Sequence, residues 1–182
     1  IIESIINDHQ FRDWHGFGIA VQAYQKRAHA AINHIHDLAK SKKQKMHIRL
    51  VKGAYWDTEI KHAQVLGLSD YPVFTRKVNV DVSYMYCAQK MLQESDHVFP
   101  MFGTHNAQTI AAILSMNKPK NTLFEFQRLH GMGEGLFEQA IQKYNAKTSL
   151  YAPVGPHQDL LPYLVRRLLE NGANSSFVNQ IL

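Results

Sequence analysis

Ile48-Arg49-Leu50-Val51-Lys52-Gly53-Ala54-Tyr55-Trp56-Asp57 is the stretch on which the fold turns. It opens as an apolar, strand-like run and ends on a glycine beside two aromatics. A strand covered by helices on both faces reads as a continuous apolar run, so a charge inside it is costly unless an anionic or electron-rich group meets it. Arg49 therefore either snorkels from a strand end to solvent or a carboxylate, or serves a ligand at that end.

The same grammar repeats outward from this stretch. Gly18 to Ala23 is a short apolar run, followed by a helical pattern from about Gln25 to Ala39 in which Ala28, Ala31, Ile32, Ile35 and Leu38 recur at helical spacing. Met46 to Val51 is the second strand. A long connection with a short helix near Thr58 to Gln64 leads to a helix over Val78 to Leu92. Three more units follow: Val98 to Phe102 with a helix reaching Met116, Thr122 to Gln127 with a helix near Gly135 to Tyr144, and Ser149 to Ala152 with Gln158 to Glu170. Five βα units in succession predict a parallel sheet, closed as a barrel or open and doubly wound.

The position of the polar residues separates these two outcomes. Gln22 with Tyr24, Lys52 to Tyr55, Thr104 to Asn106, Leu129 to Gly133, and Tyr151 with Pro153 all fall at or just past strand C-termini. In a (β/α)8 barrel those ends together form the active-site face, whereas an open sheet places its ligand around one switch point. Five equipped ends favour the barrel. Closing a barrel of this type takes eight strands, and the chain supplies five.

Composition sets the class. The 182 residues are 45% hydrophobic and hold no low-complexity or linker-like stretch, so one core and a single domain over residues 1–182 are expected. The formal charge of +5 is spread in short basic clusters such as Lys40 to Lys45, and no nucleic-acid contact is expected. Cys87 is the sole cysteine, which excludes an internal disulfide and suits a reducing compartment. No run approaches the roughly 18 apolar residues of a membrane span, and the start of the chain lacks a signal-peptide pattern. A cytoplasmic location with at most peripheral membrane contact is the expectation.

On the last helix, Leu161, Leu164, Val165 and Leu168 form an apolar stripe expected to face the core. Tyr163, Arg166, Arg167 and Glu170 fall on the opposite side. The adjacent guanidiniums either pair with Glu170 at i,i+3 and i,i+4 for about 0.2–0.5 kcal/mol each, or clamp a small carboxylate through charged hydrogen bonds. Gly131-Met132-Gly133-Glu134-Gly135 follows a strand and precedes a helix, as a phosphate-binding loop does, but it is neither a dinucleotide fingerprint nor a Walker loop, and a tight turn is the better reading. The eleven histidines, His105 among them, show no paired ligand spacing, so no metal is assigned.

Six stretches together carry a family resemblance: Arg49 to Asp57, Tyr71 to Lys77 (Y-P-V-F-T-R-K), Thr104 to Asn106, Phe124 to Glu134 (F-E-F-Q-R-L-H-G-M-G-E), Tyr151 to Gly155 and Tyr163 to Asn179. In order and spacing, from about Gly16 to Ile181, they resemble the proline dehydrogenase domain of the bacterial proline utilization A flavoproteins. The resemblance implies the C-terminal portion of a (β/α)8 TIM-type barrel that binds FAD and oxidises L-proline to Δ1-pyrroline-5-carboxylate, with electrons passing to a membrane quinone. It implies that Arg49 contacts flavin N5, the hydride acceptor. Gln22, Val51, Gly53, Ala54, Trp56, Thr75, Thr104, His105 and Glu170 correspond to positions around FAD. Tyr55, Leu129, Tyr151 and Tyr163 correspond to the walls of the proline pocket, and Arg166 with Arg167 to the pair that grips its carboxylate. The family also draws a lysine and an aspartate from strands before the Gln22 strand, for which residues 1–14 show no counterpart, so the segment is not expected to be active alone. Two other classes remain: a non-catalytic barrel fragment binding a small carboxylate, and a different (β/α)8 enzyme acting on a phosphorylated substrate.

Overall fold

A five-stranded parallel sheet in the order β1-β2-β3-β4-β5 organises the chain, each strand pairing with its neighbours in sequence. The computed structural model describes residues 2–11 and 14–173, with side chains through 165. A short helix α1 (Ile2–Asn7) and a 3-10 turn precede β1 (Gly18–Gln22), α2 (Ala28–Lys42), β2 (Met46–Val51), α3 (Trp56–Val65) and α4 (Lys77–Gln93). Then come β3 (Val98–Gly103), α5 (Ala107–Asn117), β4 (Glu125–Leu129), α6 (Glu134–Tyr144), β5 (Thr148–Tyr151) and α7 (His157–Ala173). Residues 52–97 separate β2 from β3, about twice the length of any other gap between paired strands.

Alternation along the strands creates two unlike faces. Met46, Ile48 and Leu50 of β2, Val98 and Phe102 of β3, and Phe126 of β4 are buried. Their core partners are Ile32, Ile35 and Ala39 of α2, Cys87, Ala88 and Met91 of α4, and Ile113 of α5. Burying each such side chain contributes roughly 1.5–3 kcal/mol, which makes this helix-side layer the source of most of the stability. The opposite face carries His47, Arg49 and Val51 of β2 and Phe99, Met101 and Gly103 of β3, all half-buried. It is the concave, barrel-interior side, and the sheet is not closed.

Two departures from the sequence reading have a visible cause. Helix α2 starts at Ala28 rather than Gln25, because Gln25 bridges Val73 and the Lys26 N–H donates to the Pro72 carbonyl, drawing this segment onto the 72–74 loop. The fourth strand runs from Glu125 to Leu129 rather than Thr122 to Gln127. The Asn117 amide captures both backbone groups of Thr122, accepting from its N–H at 3.0 Å and donating to its carbonyl at 3.0 Å. Thr122 is thereby held as a loop residue.

Candidate functional site at the strand C-termini

Register places five of the expected residues, Gln22, Arg49, Val51, Leu129 and Tyr151, on one face. Gln22 pairs with Val51, Arg49 with Met101, Gly103 with Gln127, and Leu129 with Tyr151. Paired positions in a sheet share a face, so the side chains of Gln22, Arg49, Val51, Gln127, Leu129 and Tyr151 all stand on the concave side near the strand C-termini.

Arg49 is fixed from three directions. Its Nε donates to Gln127 Oε1 at 2.6 Å, and its guanidinium lies 5.0 Å from the centroid of the Tyr151 ring, within cation–π range. At Gly103 a Cβ would stand 3.3 Å from Arg49 Nη2 and 3.0 Å from Val51 Cγ1, so the missing side chain lets the arginine cross β3. The charge in the strand thus meets a neutral amide and a π face. Gln127 is itself engaged further: its Nε2 donates to Glu125 Oε1 at 2.8 Å, and Ser149 Oγ donates to Glu125 Oε2 at 2.9 Å. Gln127, Glu125 and Ser149 received no role in the sequence reading. Glu125 and Gln127 two residues apart in a strand, each polar, were the available signal.

The loop after β2 is built around Gly53. The Ala54 N–H donates to Gln22 Oε1 at 3.4 Å, which ties the ends of β1 and β2 together. Gly53 takes φ +137°, and a Cβ there would fall 1.9 Å from the ring of Tyr24. Tyr24 is fully buried, with its hydroxyl 3.5 Å from Glu59 Oε1 on α3. Tyr55 is 44% exposed and Trp56 begins α3, its indole N–H donating to the Phe74 carbonyl at 2.8 Å. Thr75 follows on the exposed loop. Lys52 pairs with Asp81, and burial pulls the Lys77 pKa below its ordinary value, with Asp81 opposing and Lys52 adding to the fall. Lys52 and Lys77 bring two ammoniums to the same stretch, a feature to which the sequence reading assigned nothing.

After β3, Asn106 caps α5 by accepting the Thr109 N–H at 2.9 Å, a bond worth about 1 kcal/mol that fixes the turn carrying Thr104 and His105. Thr104 is buried. His105 Nε2 accepts the Leu129 N–H at 2.9 Å, so in the neutral ring the proton sits on Nδ1, which is left as the donor. Burial lowers the His105 pKa from the ordinary 6.5, and the nearby charges of Arg128 and Arg49 lower it further. Because the folded ring resists a proton that the unfolded chain accepts, stability is lost as pH falls through 6.5. Between about pH 7.5 and about pH 5, His105→Asn should flatten the dependence of unfolding free energy on pH, by at most about 1.4 kcal/mol per pH unit. Parallel curves for the two proteins, measured by denaturant titration, would exclude a folded His105 that resists protonation.

The last helix is different from its prediction. Leu161, Leu164 and Val165, expected to face the core, are 53%, 49% and 45% exposed. Helix α7 follows β5, the edge of the sheet, and no further strand is paired beyond that edge among the described residues. Tyr163 is half-buried. Arg166, Arg167 and Glu170 lie on the helical backbone, but their side chains fall outside the described residues. Gly131 to Gly133 forms a turn in which Gly133 caps α6, and Gly135 lies in the first turn of that helix. Among the described residues no group of histidine, cysteine or acidic side chains is placed to hold a metal ion, and no helix is long and apolar enough to cross a membrane.

A family described as Proline dehydrogenase matches residues 1–180. The bifunctional protein PutA of Salmonella typhimurium is 52% identical over the whole chain, which covers 14% of that protein. The crystal structure of a Bradyrhizobium japonicum proline utilization A mutant superposes with a TM-score of 0.90 at 56% identity, covering 98% of this chain and 18% of that one. Proline utilization A from Bdellovibrio bacteriovorus, inactivated by N-propargylglycine, gives a TM-score of 0.90 at 34% identity, over 100% of this chain and 19% of that one. The chain therefore spans about one seventh of the length of the curated relative.

Proposed function

This chain belongs to the proline dehydrogenase family, and from that premise we propose that it forms the C-terminal five strands of a proline-oxidising, FAD-binding (β/α)8 barrel. L-Proline would lose a hydride from C5 and a proton from its nitrogen, giving the C=N bond of Δ1-pyrroline-5-carboxylate. FAD, when bound, supplies the acceptor for that hydride. The observation that carries the reading is the half-buried Arg49 guanidinium, held at Nε and over Tyr151 where the strand C-termini meet.

The residues present suit such a cofactor. Arg49 brings its guanidinium to the concave face, His105 offers Nδ1–H from a half-buried neutral ring, and Gln22 steadies the Ala54 backbone. Val51, Gly53, Thr104, Trp56 and Thr75 line or shape the same ends and loops. The two ammoniums at Lys52 and Lys77 suit the diphosphate of a dinucleotide. Glu170 joins this set by family motif alone.

Substrate selection falls to the other side of Arg49. Leu129 and Tyr151 stand side by side on β4 and β5, an apolar and an aromatic wall for a five-membered ring, to which Tyr55 and Tyr163 are added by motif. Arg166 and Arg167 would grip the carboxylate, fixing the ring by positioning rather than by covalent chemistry. The quinone acceptor rests on the family resemblance alone, and a cytoplasmic setting with at most peripheral membrane contact on composition.

In the intact protein, Arg166→Met or Arg167→Met should mainly raise KM for proline, roughly tenfold or more if about 1.4 kcal/mol of binding is lost. Anaerobic bleaching of the bound flavin by proline provides the readout. Wild-type KM in both variants would remove the clamp, and an intact wild-type protein that holds no flavin would remove the reading as a whole.

A further inference from the structure

We propose that Gln127, locked in orientation by Glu125, is a positioning residue that aims the Arg49 guanidinium and leaves its charge uncompensated for the redox centre. The inference rests on the FAD-binding reading above. Gln127 is 8% exposed, and its amide has two unlike ends between two partners of fixed character. Arginine only donates and an ionised carboxylate only accepts, so one orientation alone satisfies both: carbonyl toward Arg49 Nε at 2.6 Å, NH2 toward Glu125 Oε1 at 2.8 Å. Glu125 cannot drift, because Ser149 Oγ occupies its other oxygen at 2.9 Å. The chain Ser149–Glu125–Gln127–Arg49 therefore crosses from β5 through β4 to β2 on the concave face and ends on the guanidinium.

The neutrality of the link is what gives it a function. A carboxylate at 127 would hold the arginine equally well in geometry, but it would pair with the positive charge directly. An amide fixes the same nitrogen and leaves the charge to act elsewhere, while Glu125, the anion, is kept one residue removed. The reach of that charge is visible within the protein, where Arg49 helps to depress the pKa of His105. A fixed cation beside a flavin favours the reduced, more negative state, so its compensation should lower the reduction potential.

Two variants of the intact, FAD-loaded protein test this. Gln127→Leu keeps the bulk and removes the acceptor. The rate of flavin reduction at saturating proline should fall tenfold or more while KM changes little. Gln127→Glu keeps the bond and adds a charge: the two-electron equilibrium for flavin reduction, measured against redox dyes, should shift at least tenfold toward the oxidised form, about 30 mV. Because the new carboxyl ionises beside Glu125, this deficit should widen as pH rises. A role in packing alone would lower thermal stability without moving potential or reduction rate. Wild-type potential across pH in Gln127→Glu therefore overturns the proposal, whether or not Gln127→Leu folds. Absence of flavin from the wild-type protein would instead overturn the cofactor assignment, and this inference with it.

Discussion

Expressed by itself, the 182-residue segment is expected to self-associate, retain no FAD and show no proline-dependent dye reduction. The sheet has two parallel edges, β1 and β5, with no further partner among the described residues. Each presents a row of unpaired N–H and C=O groups, a template for pairing with another chain. The concave face adds Phe99, Met101 and Leu129, side chains that the remaining strands of a closed barrel would cover. The wall around a flavin would also be incomplete, so the loss of activity should be total. Gel filtration, visible absorbance and dye reduction decide the matter together. A monodisperse, yellow protein that turns over proline would mean that five strands suffice.

Gly53→Ala should be the most damaging methyl group that can be added to this chain. Backbone at φ +137° strains any L side chain by about 1–3 kcal/mol. The Cβ would also lie 1.9 Å from Tyr24 Cδ1, forcing a fully buried ring to move, and overpacking of this kind costs a further 1–3 kcal/mol or so. Against a total stability of roughly 5–15 kcal/mol, such a loss in the loop that carries Ala54 and Trp56 should abolish cofactor retention. Gly67 supplies the control. It has φ +61° but nothing within 4 Å of an added Cβ, so Gly67→Ala should cost only about 1 kcal/mol and leave the flavin bound. Equal denaturation midpoints for the two variants in the intact protein would show that the Tyr24 contact is not what enforces glycine.

The parallel architecture was readable because its elements obey their periods. Met46–Val51 and Val98–Gly103 bury every second residue, all of them apolar, and α2 recurs at helical spacing. Legibility failed where hydrogen bonds outside the repeating patterns redirect the backbone. Asn117 removes Thr122 from β4, and the 72–74 loop takes Gln25 from α2, because hydrogen bonds of this kind leave no periodic trace. At the site, Arg49 was conspicuous as a charge in an apolar run, yet its partner was not, since Gln127 lies 78 residues away and only strand order brings them together. The exposed stripe of α7 was misread for a related reason: an amphipathic face announces that it will be covered, but not by what.

The nearest-neighbour strand order has a further consequence in time. During synthesis at roughly 5–20 residues per second, every strand can dock onto one already made, so assembly can proceed in the direction of translation without waiting for distant partners. The exception is the β2 to β3 interval. While residues 52–97 emerge, a matter of a few seconds at those rates, the outer edge of β2 and the part of its apolar face that α4 will cover wait exposed. That pause is the window in which a ribosome-bound chaperone has most to protect, and slow codons placed within it would lengthen the exposure.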